Sequence, residues 1–195
     1  RKDEVVRAFA AHSGVPTINM ESARRHPCQG LADALTLEES CGERPRGRRF
    51  VLAWAWHPRP LPTAVPASAA IAAARLGMEV VVARPPGFDL DPDDMRSIQA
   101  VAERNGGALK VSDDLDGSLT GADVVYAKSW GAMCHTEDAA KGAEIVAFTS
   151  VPGTIRAAPA STFTSNSGFL YSSTRNRADT PKAATAARAN AGTSS

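Results

Sequence analysis

The stretch Arg49–Trp56, RFVLAWAW, is followed by an alanine-rich stretch, Thr63–Leu76, and then by a second apolar stretch, Glu79–Arg84. The apolar stretches indicate buried strands, and the middle stretch indicates a helix that ends at Gly77, since glycine suits the left-handed end of a helix. A strand, a helix and a second strand of these lengths predict a right-handed βαβ unit. We therefore expect an α/β fold, with a mostly parallel sheet flanked by helices.

The same alternation extends to both sides of this unit. Patterns of period 3.6 predict further helices, and short apolar runs predict further strands. The predicted helices are Lys2–His12, Pro27–Cys41, one from Asp91-Pro92 to about Asn105-Gly106 and a short one after it; the predicted strands are Val15–Met20, Ala108–Val111, Ala122–Ala127 and Glu144–Ser150.

The C-terminal segment, residues 151–195, has a different composition. From Thr154 onwards it is rich in Ala, Ser and Thr and has few large apolar side chains. So little apolar surface cannot offset the entropy lost on ordering, and we expect a low-complexity, irregular and disordered tail. A helix around Pro181–Ala191 and a shifted reading frame are the alternatives.

The charge and cysteine content exclude several classes of protein. The net charge of +1 provides no field that would attract nucleic acid or an acidic membrane, and no apolar run is long enough to span a bilayer. The cysteines, Cys28, Cys41 and Cys134, are widely spaced and form no CxxC pair. We therefore expect a cytoplasmic protein with no disulfide framework and no metal site.

Ligands of parallel sheets bind at the carboxyl ends of the strands, so the loops after the strands hold the candidate site residues. In the first loop, Pro27 predicts a helix start with His26 at its N-cap and Gln29 in the first turn. The free N–H groups there favour an oxyanion. A neutral His26 could donate a hydrogen bond to a carbonyl oxygen. A simple cap without a ligand is an equally good interpretation of the spacing.

Two further loops contain candidates. His57 and Arg59 lie among three prolines, where a rigid connection with solvated charges is the favoured interpretation. Lys128 directly follows a buried strand and is a candidate ligand for a carboxylate. Alternatively, its amine reaches solvent beside Trp130.

Familiar catalytic motifs do not occur in the sequence. It has no GxGxxG, P-loop, HExxH or GxSxG pattern. The acidic pairs Asp93-Asp94 and Asp113-Asp114 are best explained as charges at helix N-termini. Nucleotide, zinc-protease and serine-hydrolase functions therefore have no support.

Several stretches together resemble the aspartate/ornithine carbamoyltransferases. The chain from about Arg1 to Gly131 carries this resemblance, and two of the stretches look like the branch of the family that acts on N-acetylornithine. The family stretches are INME (18–21), HPCQ (26–29), GLADAL (30–35) and GADVVY (121–126), and the branch stretches are WAWHPRPL (54–61) and YAKSWG (126–131).

The resemblance implies the fold, the reaction and the partners. Residues 1–25 would be a remnant of a carbamoyl-phosphate-binding domain, and residues 26–150 an α/β domain that binds the amino acid. The implied reaction transfers the carbamoyl group of carbamoyl phosphate to the δ-amino group of N-acetyl-L-ornithine in arginine biosynthesis, with no metal or organic cofactor. Full-length relatives are expected to be homotrimers.

The resemblance also implies a role for each site residue. His26 would polarise the carbamoyl carbonyl, and Gln29 would hold the carbamoyl amine. Pro27 and Cys28 would line the same pocket. On the acceptor side, Glu21 would contact the amide nitrogen of acetylornithine and Lys128 its carboxylate.

Two parts of the family pattern are not found in this sequence. These are the Ser-x-Arg-Thr-Arg motif that binds the phosphate and the His-Cys-Leu-Pro segment that closes the site. We therefore expect an incomplete version of the enzyme that is inactive on its own. The alternatives are a fragment of an ornithine or N-succinylornithine carbamoyltransferase, and a non-catalytic α/β module that binds an amino acid.

Overall fold

The computed structural model describes residues 3–42, 45–57 and 61–132, and the backbone of two further strands. In chain order the elements are α1 (Glu4–His12), α2 (Pro27–Cys41), β1 (Arg49–Trp54), α3 (Ala64–Arg75), β2 (Glu79–Ala83), α4 (Pro92–Arg104), β3 (Ala108–Ser112), α5 (Leu115–Leu119), β4 (Val124–Lys128), β5 (Ser161–Ser165) and β6 (Gly168–Ser172).

The strands form one sheet in the order β3-β2-β1-β4-β6-β5. The first four are parallel, and β6 pairs antiparallel with both β4 and β5. The mostly parallel α/β fold predicted from the sequence is therefore confirmed. After β1 the chain builds outwards through β2 and β3 and then returns to place β4 on the other side of β1. This reversal opens a crevice between the carboxyl ends of β1 and β4.

Among the described residues up to Ala132, the predicted elements agree with the observed ones to within a few residues, with one exception. The prediction of a strand at Val15–Met20 is wrong, because this segment has no regular structure. Val15, Ile18 and Met20 are all exposed, so no neighbouring strand or core holds the segment in a sheet.

The segment 151–195 also differs from the expectation. Strands β5 and β6 lie within it, so the predicted disorder does not hold for these ten residues. They extend the sheet beyond β4 by backbone pairing. The predicted strand at Glu144–Ser150 and the alternative helix at Pro181–Ala191 lie outside the described residues.

The larger part of the core lies between the sheet and helices α2, α3 and α4, and a smaller cluster lies between β1, β2 and α5. Helix α3 buries ten of its twelve residues, mostly alanines, and these small side chains let it approach the sheet closely. At the carboxyl ends of β1 and β4, the indole N–H of Trp54 donates to the carbonyl of Trp130 at 2.9 Å. The indole N–H of Trp130 donates to the carbonyl of Phe88 at 2.8 Å. These buried hydrogen bonds fix the ends of β1 and β4. Within the described ranges every helix is too short or too polar to cross a lipid bilayer.

Helix α2 lies directly on α3 at its N-terminal end. A Cβ atom added to Gly30 would lie 3.3 Å from the backbone oxygen of Ser68. The Ser68 hydroxyl also accepts a hydrogen bond from the backbone N–H of His26 at 2.9 Å. The close approach at Gly30 therefore sets the distance between the start of α2 and helix α3.

We expect Gly30→Val to destabilise the chain by about 1–3 kcal/mol, because the added carbons push α2 away from the Ser68 backbone. The matched control is Ala32→Val, which adds the same β-branched side chain to an exposed position of α2. Urea unfolding of both variants measures the difference. Equal losses of stability would show that the close approach does not matter.

Candidate active site

The candidate site lies at the carboxyl ends of β1 and β4, in the crevice where the strand order reverses. Trp54 and Lys128 are the last residues of the two strands and pair with each other in the register. The backbone N–H of Ala55 donates to the carbonyl of Lys128 at 3.0 Å, which continues the pairing by one more bond. The Lys128 side chain therefore starts from a rigid position.

His26 occupies the N-cap of α2, and Pro27 is the first helical residue, as the sequence predicted. The backbone N–H of Gln29 donates to Nδ1 of His26 at 3.3 Å. Because Nδ1 accepts this bond, the proton of the neutral ring is on Nε2. Nε2 lies 3.9 Å from the Glu21 carboxylate, so the ring presents a donor towards the loop that precedes α2.

Glu21 connects the two sides of the site. Its side chain is 61% exposed, whereas that of His26 is 21% exposed. Burial lowers the pKa of Lys128, and the charge of Glu21 opposes this shift. Glu21 therefore lies close to the His26 ring and acts electrostatically on Lys128, and these three sequence candidates share one region of the structure.

The side chain of Gln29 is hydrogen-bonded to a buried carboxyl group. Its Nε2 donates to Oδ1 of Asp33 at 2.8 Å, and Asp33 is only 1% exposed. Burial raises the pKa of Asp33 to about 6, although Gln29, Tyr126 and His26 all oppose the rise. The sequence analysis gave Asp33 no role, although Gln29 and Asp33 are four residues apart and so share one face of α2.

Tyr126 of β4 is the second buried polar group beside Asp33. Neither the Tyr126 hydroxyl nor Oδ2 of Asp33 makes a hydrogen bond of ordinary geometry with the described residues. The two groups still affect each other: Tyr126 lowers the pKa of Asp33, while burial and the Asp33 charge raise the pKa of Tyr126. Asp33 therefore connects Gln29 of α2 to the strand that carries Lys128.

Of the remaining predicted site residues, the structure describes Pro27, Cys28 and His57. Pro27 is exposed at the helix start, and the half-buried Cys28 thiol contacts the carbonyl of Asn19 at 3.8 Å. His57 follows β1 as predicted, whereas Arg59 lies outside the described residues.

The loop that carries Glu21 and His26 is attached to the N-terminus of α4. Arg24 donates to Asp94 at 2.7 Å and to Asp91 at 3.0 Å, and Arg25 donates to Asp94 at 2.5 Å. Asp91 caps α4 as predicted. Asp94, which the sequence analysis explained as a helix-terminal charge, is 1% exposed and binds both arginines. Its main role is to anchor the loop.

Family models match this chain in two places. The carbamoyl-phosphate-binding domain of the aspartate/ornithine carbamoyltransferases matches residues 1–39, and their Asp/Orn-binding domain matches residues 57–152. The chain belongs to the aspartate/ornithine carbamoyltransferase family. The second match continues beyond Gly131, where the sequence analysis ended the resemblance. The first match extends into α2, so the predicted boundary between residues 25 and 26 stays a prediction.

Curated members of the family are similar over about two thirds of the chain. The N-acetylornithine carbamoyltransferase of Xanthomonas campestris is 52% identical over 136 residues, which are 68% of this chain and 40% of that protein. The N-succinylornithine carbamoyltransferase of Bacteroides fragilis is 38% identical over 66% of this chain and 36% of that protein. The ornithine carbamoyltransferase of Methanocorpusculum labreanum is 33% identical over 68% and 40%. The chain thus spans about two fifths of the length of these relatives.

Solved structures give the same result. A crystal structure of N-acetyl-L-ornithine transcarbamylase superposes with a TM-score of 0.72 at 44% identity, over 76% of this chain and 47% of that one. An acetylornithine transcarbamylase in complex with acetylcitrulline superposes with a TM-score of 0.64 at 48% identity, over 68% and 40%. The family fold is therefore shared well beyond the site motifs.

The buried Asp33 predicts a dependence of stability on pH. Because its pKa is raised from 3.8 to about 6, the native chain holds more protons than the unfolded chain between these values. Its contribution to stability therefore falls as the pH rises through this window and is constant above it. The unfolding free energy of Asp33→Asn minus that of the wild-type chain should therefore increase by about 1.4 kcal/mol from pH 5 to pH 8. Urea unfolding at several pH values measures this, and a difference that is constant or of opposite sign would contradict it.

Proposed function

We propose that this chain carries part of the active site of an N-acetylornithine carbamoyltransferase. The reaction transfers the carbamoyl group of carbamoyl phosphate to the δ-amino group of N-acetyl-L-ornithine, giving N-acetyl-L-citrulline and phosphate for arginine biosynthesis in the cytoplasm. The observation that carries the proposal is the position of Glu21. Its carboxylate lies 3.9 Å from Nε2 of His26, and its charge opposes the lowering of the pKa of Lys128. His26 ends one candidate loop as the N-cap of α2, and Lys128 begins another.

On the carbamoyl side, His26 supplies a hydrogen-bond donor. Its Nδ1 accepts from the helix, so Nε2–H is the donor available to a carbonyl oxygen. Attack by the acceptor nitrogen on the carbamoyl carbon moves negative charge onto that oxygen, and a fixed donor stabilises the resulting tetrahedral intermediate. Gln29 holds the carbamoyl amine, while Pro27 and Cys28 line the same pocket. The intermediate then releases phosphate and the proton of the attacking amine.

On the acceptor side, Lys128 binds the carboxylate of acetylornithine, and Glu21 contacts its amide nitrogen. The half-buried ammonium group of Lys128 gains more from a carboxylate partner than an exposed one would, because fewer waters compete. Binding the two substrates on neighbouring loops brings amine and carbonyl together and supplies a large part of the rate.

The choice of acceptor is supported by the stretches around Trp54 and Lys128 and by the order of similarity among the relatives. Identity falls from the acetylornithine enzyme at 52% to the succinylornithine enzyme at 38% and the ornithine enzyme at 33%. Residues 1–25 are proposed as part of the carbamoyl-phosphate domain and residues 26–150 as the acetylornithine domain. The complete protein is proposed to be a homotrimer.

A chimera tests the proposed reaction. Residues 1–132 of this chain replace the matching segment of the Xanthomonas campestris relative, and formation of N-acetylcitrulline is measured. We expect turnover with acetylornithine that exceeds turnover with ornithine or succinylornithine. We expect His26→Ala to lower kcat by about 10²–10³-fold, and His12→Ala on the exposed helix α1 to leave it unchanged.

The outcomes of this experiment separate the alternatives. A folded chimera that prefers ornithine or succinylornithine would replace the proposed acceptor. A folded chimera without turnover would favour a module that only binds an amino acid. The full chain on its own is expected to give no product, and measurable turnover would contradict that expectation.

Lys128→Ala should weaken binding of N-acetyl-L-ornithine much more than binding of carbamoyl phosphate, because only the first ligand uses the ammonium group. A loss of about tenfold or more corresponds to roughly 1.4 kcal/mol. Calorimetric titration of the chimera with each ligand measures both affinities. The control is Lys110→Ala, which removes an exposed lysine that pairs with Glu79 at 2.8 Å. Equal losses for both ligands would contradict the role of Lys128.

A further inference from the structure

The side-chain amide of Gln29 has an orientation that depends on a buried carboxylate. Its Nε2 donates to Oδ1 of Asp33 at 2.8 Å. An ionised carboxylate only accepts hydrogen bonds, so it binds the nitrogen edge of the amide and repels the oxygen edge. A rotation of the amide by half a turn would bring two oxygen atoms together at a position that is 1% exposed. Such a buried clash is costly.

We infer that Asp33 is a positioning residue: its carboxylate holds the Gln29 amide with the nitrogen turned inwards, so that the amide oxygen faces a ligand at the start of α2. This inference rests on the proposed function, in which that ligand is the carbamoyl group of carbamoyl phosphate. The carbamoyl amine carries only N–H donors towards Gln29, so an acceptor is the group it requires. The opposite orientation would place donor against donor.

The protonation of Asp33 controls this orientation. A protonated carboxyl group can also donate a hydrogen bond, so it can pair with either the nitrogen or the oxygen of the amide and no longer selects one orientation. The titratable groups that act on Asp33 are His26 at the start of α2 and Tyr126 of β4. Helix α3, which packs against α2, contains no acidic or basic residue before Arg75. The change in orientation should therefore follow the titration of Asp33 itself.

The chain contains an internal control for this arrangement. It has two glutamines, Gln29 and Gln99, and each donates from Nε2 to a carboxylate four residues later in its own helix. The partner of Gln29 is the buried Asp33, whereas Gln99 and Glu103 are on the outside of α4. Only the buried pair should select one orientation, because water satisfies either edge of an exposed amide.

The experiment is a pH titration of the full chain labelled with ¹⁵N-glutamine and observed by NMR. The two side-chain amides give two pairs of signals. We expect the Gln29 protons to exchange with water more slowly than those of Gln99 and to shift with a midpoint near pH 6, the pKa of Asp33. Asp33→Asn should abolish this titration at Gln29 and leave Gln99 unchanged. Glu103→Ala should change Gln99 and leave Gln29 unchanged.

A second variant keeps the test decisive if Asp33→Asn does not fold. Tyr126 lowers the pKa of Asp33, so Tyr126→Phe should move the Gln29 midpoint to higher pH. A purely structural role of Asp33 would alter the unfolding of the variants but would not couple the Gln29 signals to this titration. Gln29 signals that do not titrate, or that titrate identically in Asp33→Asn, would overturn the inference.

Carbamoyl phosphate is the ligand probe, and it is titrated by calorimetry into the chimera, which supplies the phosphate-binding motif that is not found in this sequence. At pH 7.5 its affinity should fall at least fivefold in Asp33→Asn and stay unchanged in Glu103→Ala. If Gln29 of the chain titrates as expected but the folded chimera does not bind carbamoyl phosphate, the proposed function fails. In that case the assignment of Asp33 as the residue that orients Gln29 still stands.

Discussion

The start of α2 is held by one close approach to helix α3 and by one buried carboxyl group beside the sheet. Gly30 lies on the backbone of Ser68, and three residues later Asp33 lies beside Tyr126 of β4. The first contact sets how near the helix comes, and the second sets its rotation about its own axis. His26 and Gln29 belong to the same turn, so their positions relative to Lys128 follow from these two contacts.

Local chemistry made part of the site predictable from the sequence. A histidine before a proline defines an N-cap, and the structure has His26 and Pro27 in these positions. A lysine that follows an apolar run indicates the end of a strand, and Lys128 ends β4. The meeting of these two loops does not follow from strand order, because the segment before His26 is not a strand. It follows from the packing of Gly30 on Ser68 of α3 and from the position of Asp33 beside Tyr126 of β4.

Features that depend on distant partners could not be predicted in this way. Val15–Met20 has the apolar character of a strand, but none of the described residues pairs with it. Asp94 satisfies the rule for a charge near a helix start, yet its burial arises from two arginines about seventy residues earlier. Asp33 looks like a polar residue within an ordinary amphipathic helix. Its burial becomes evident only when β4 is placed against the helix.

The ion pairs of Arg24 and Arg25 with Asp94 limit the insertions that the chain can accept before α4. The connection from β2 to α4 has no regular structure, and irregular connections usually tolerate insertions. Here an insertion would displace Asp91 and Asp94 together, and with them the segment that ends in His26. The length of the connection from β2 to α4 is therefore constrained by the position that His26 needs, although no residue of this connection is a candidate for the site.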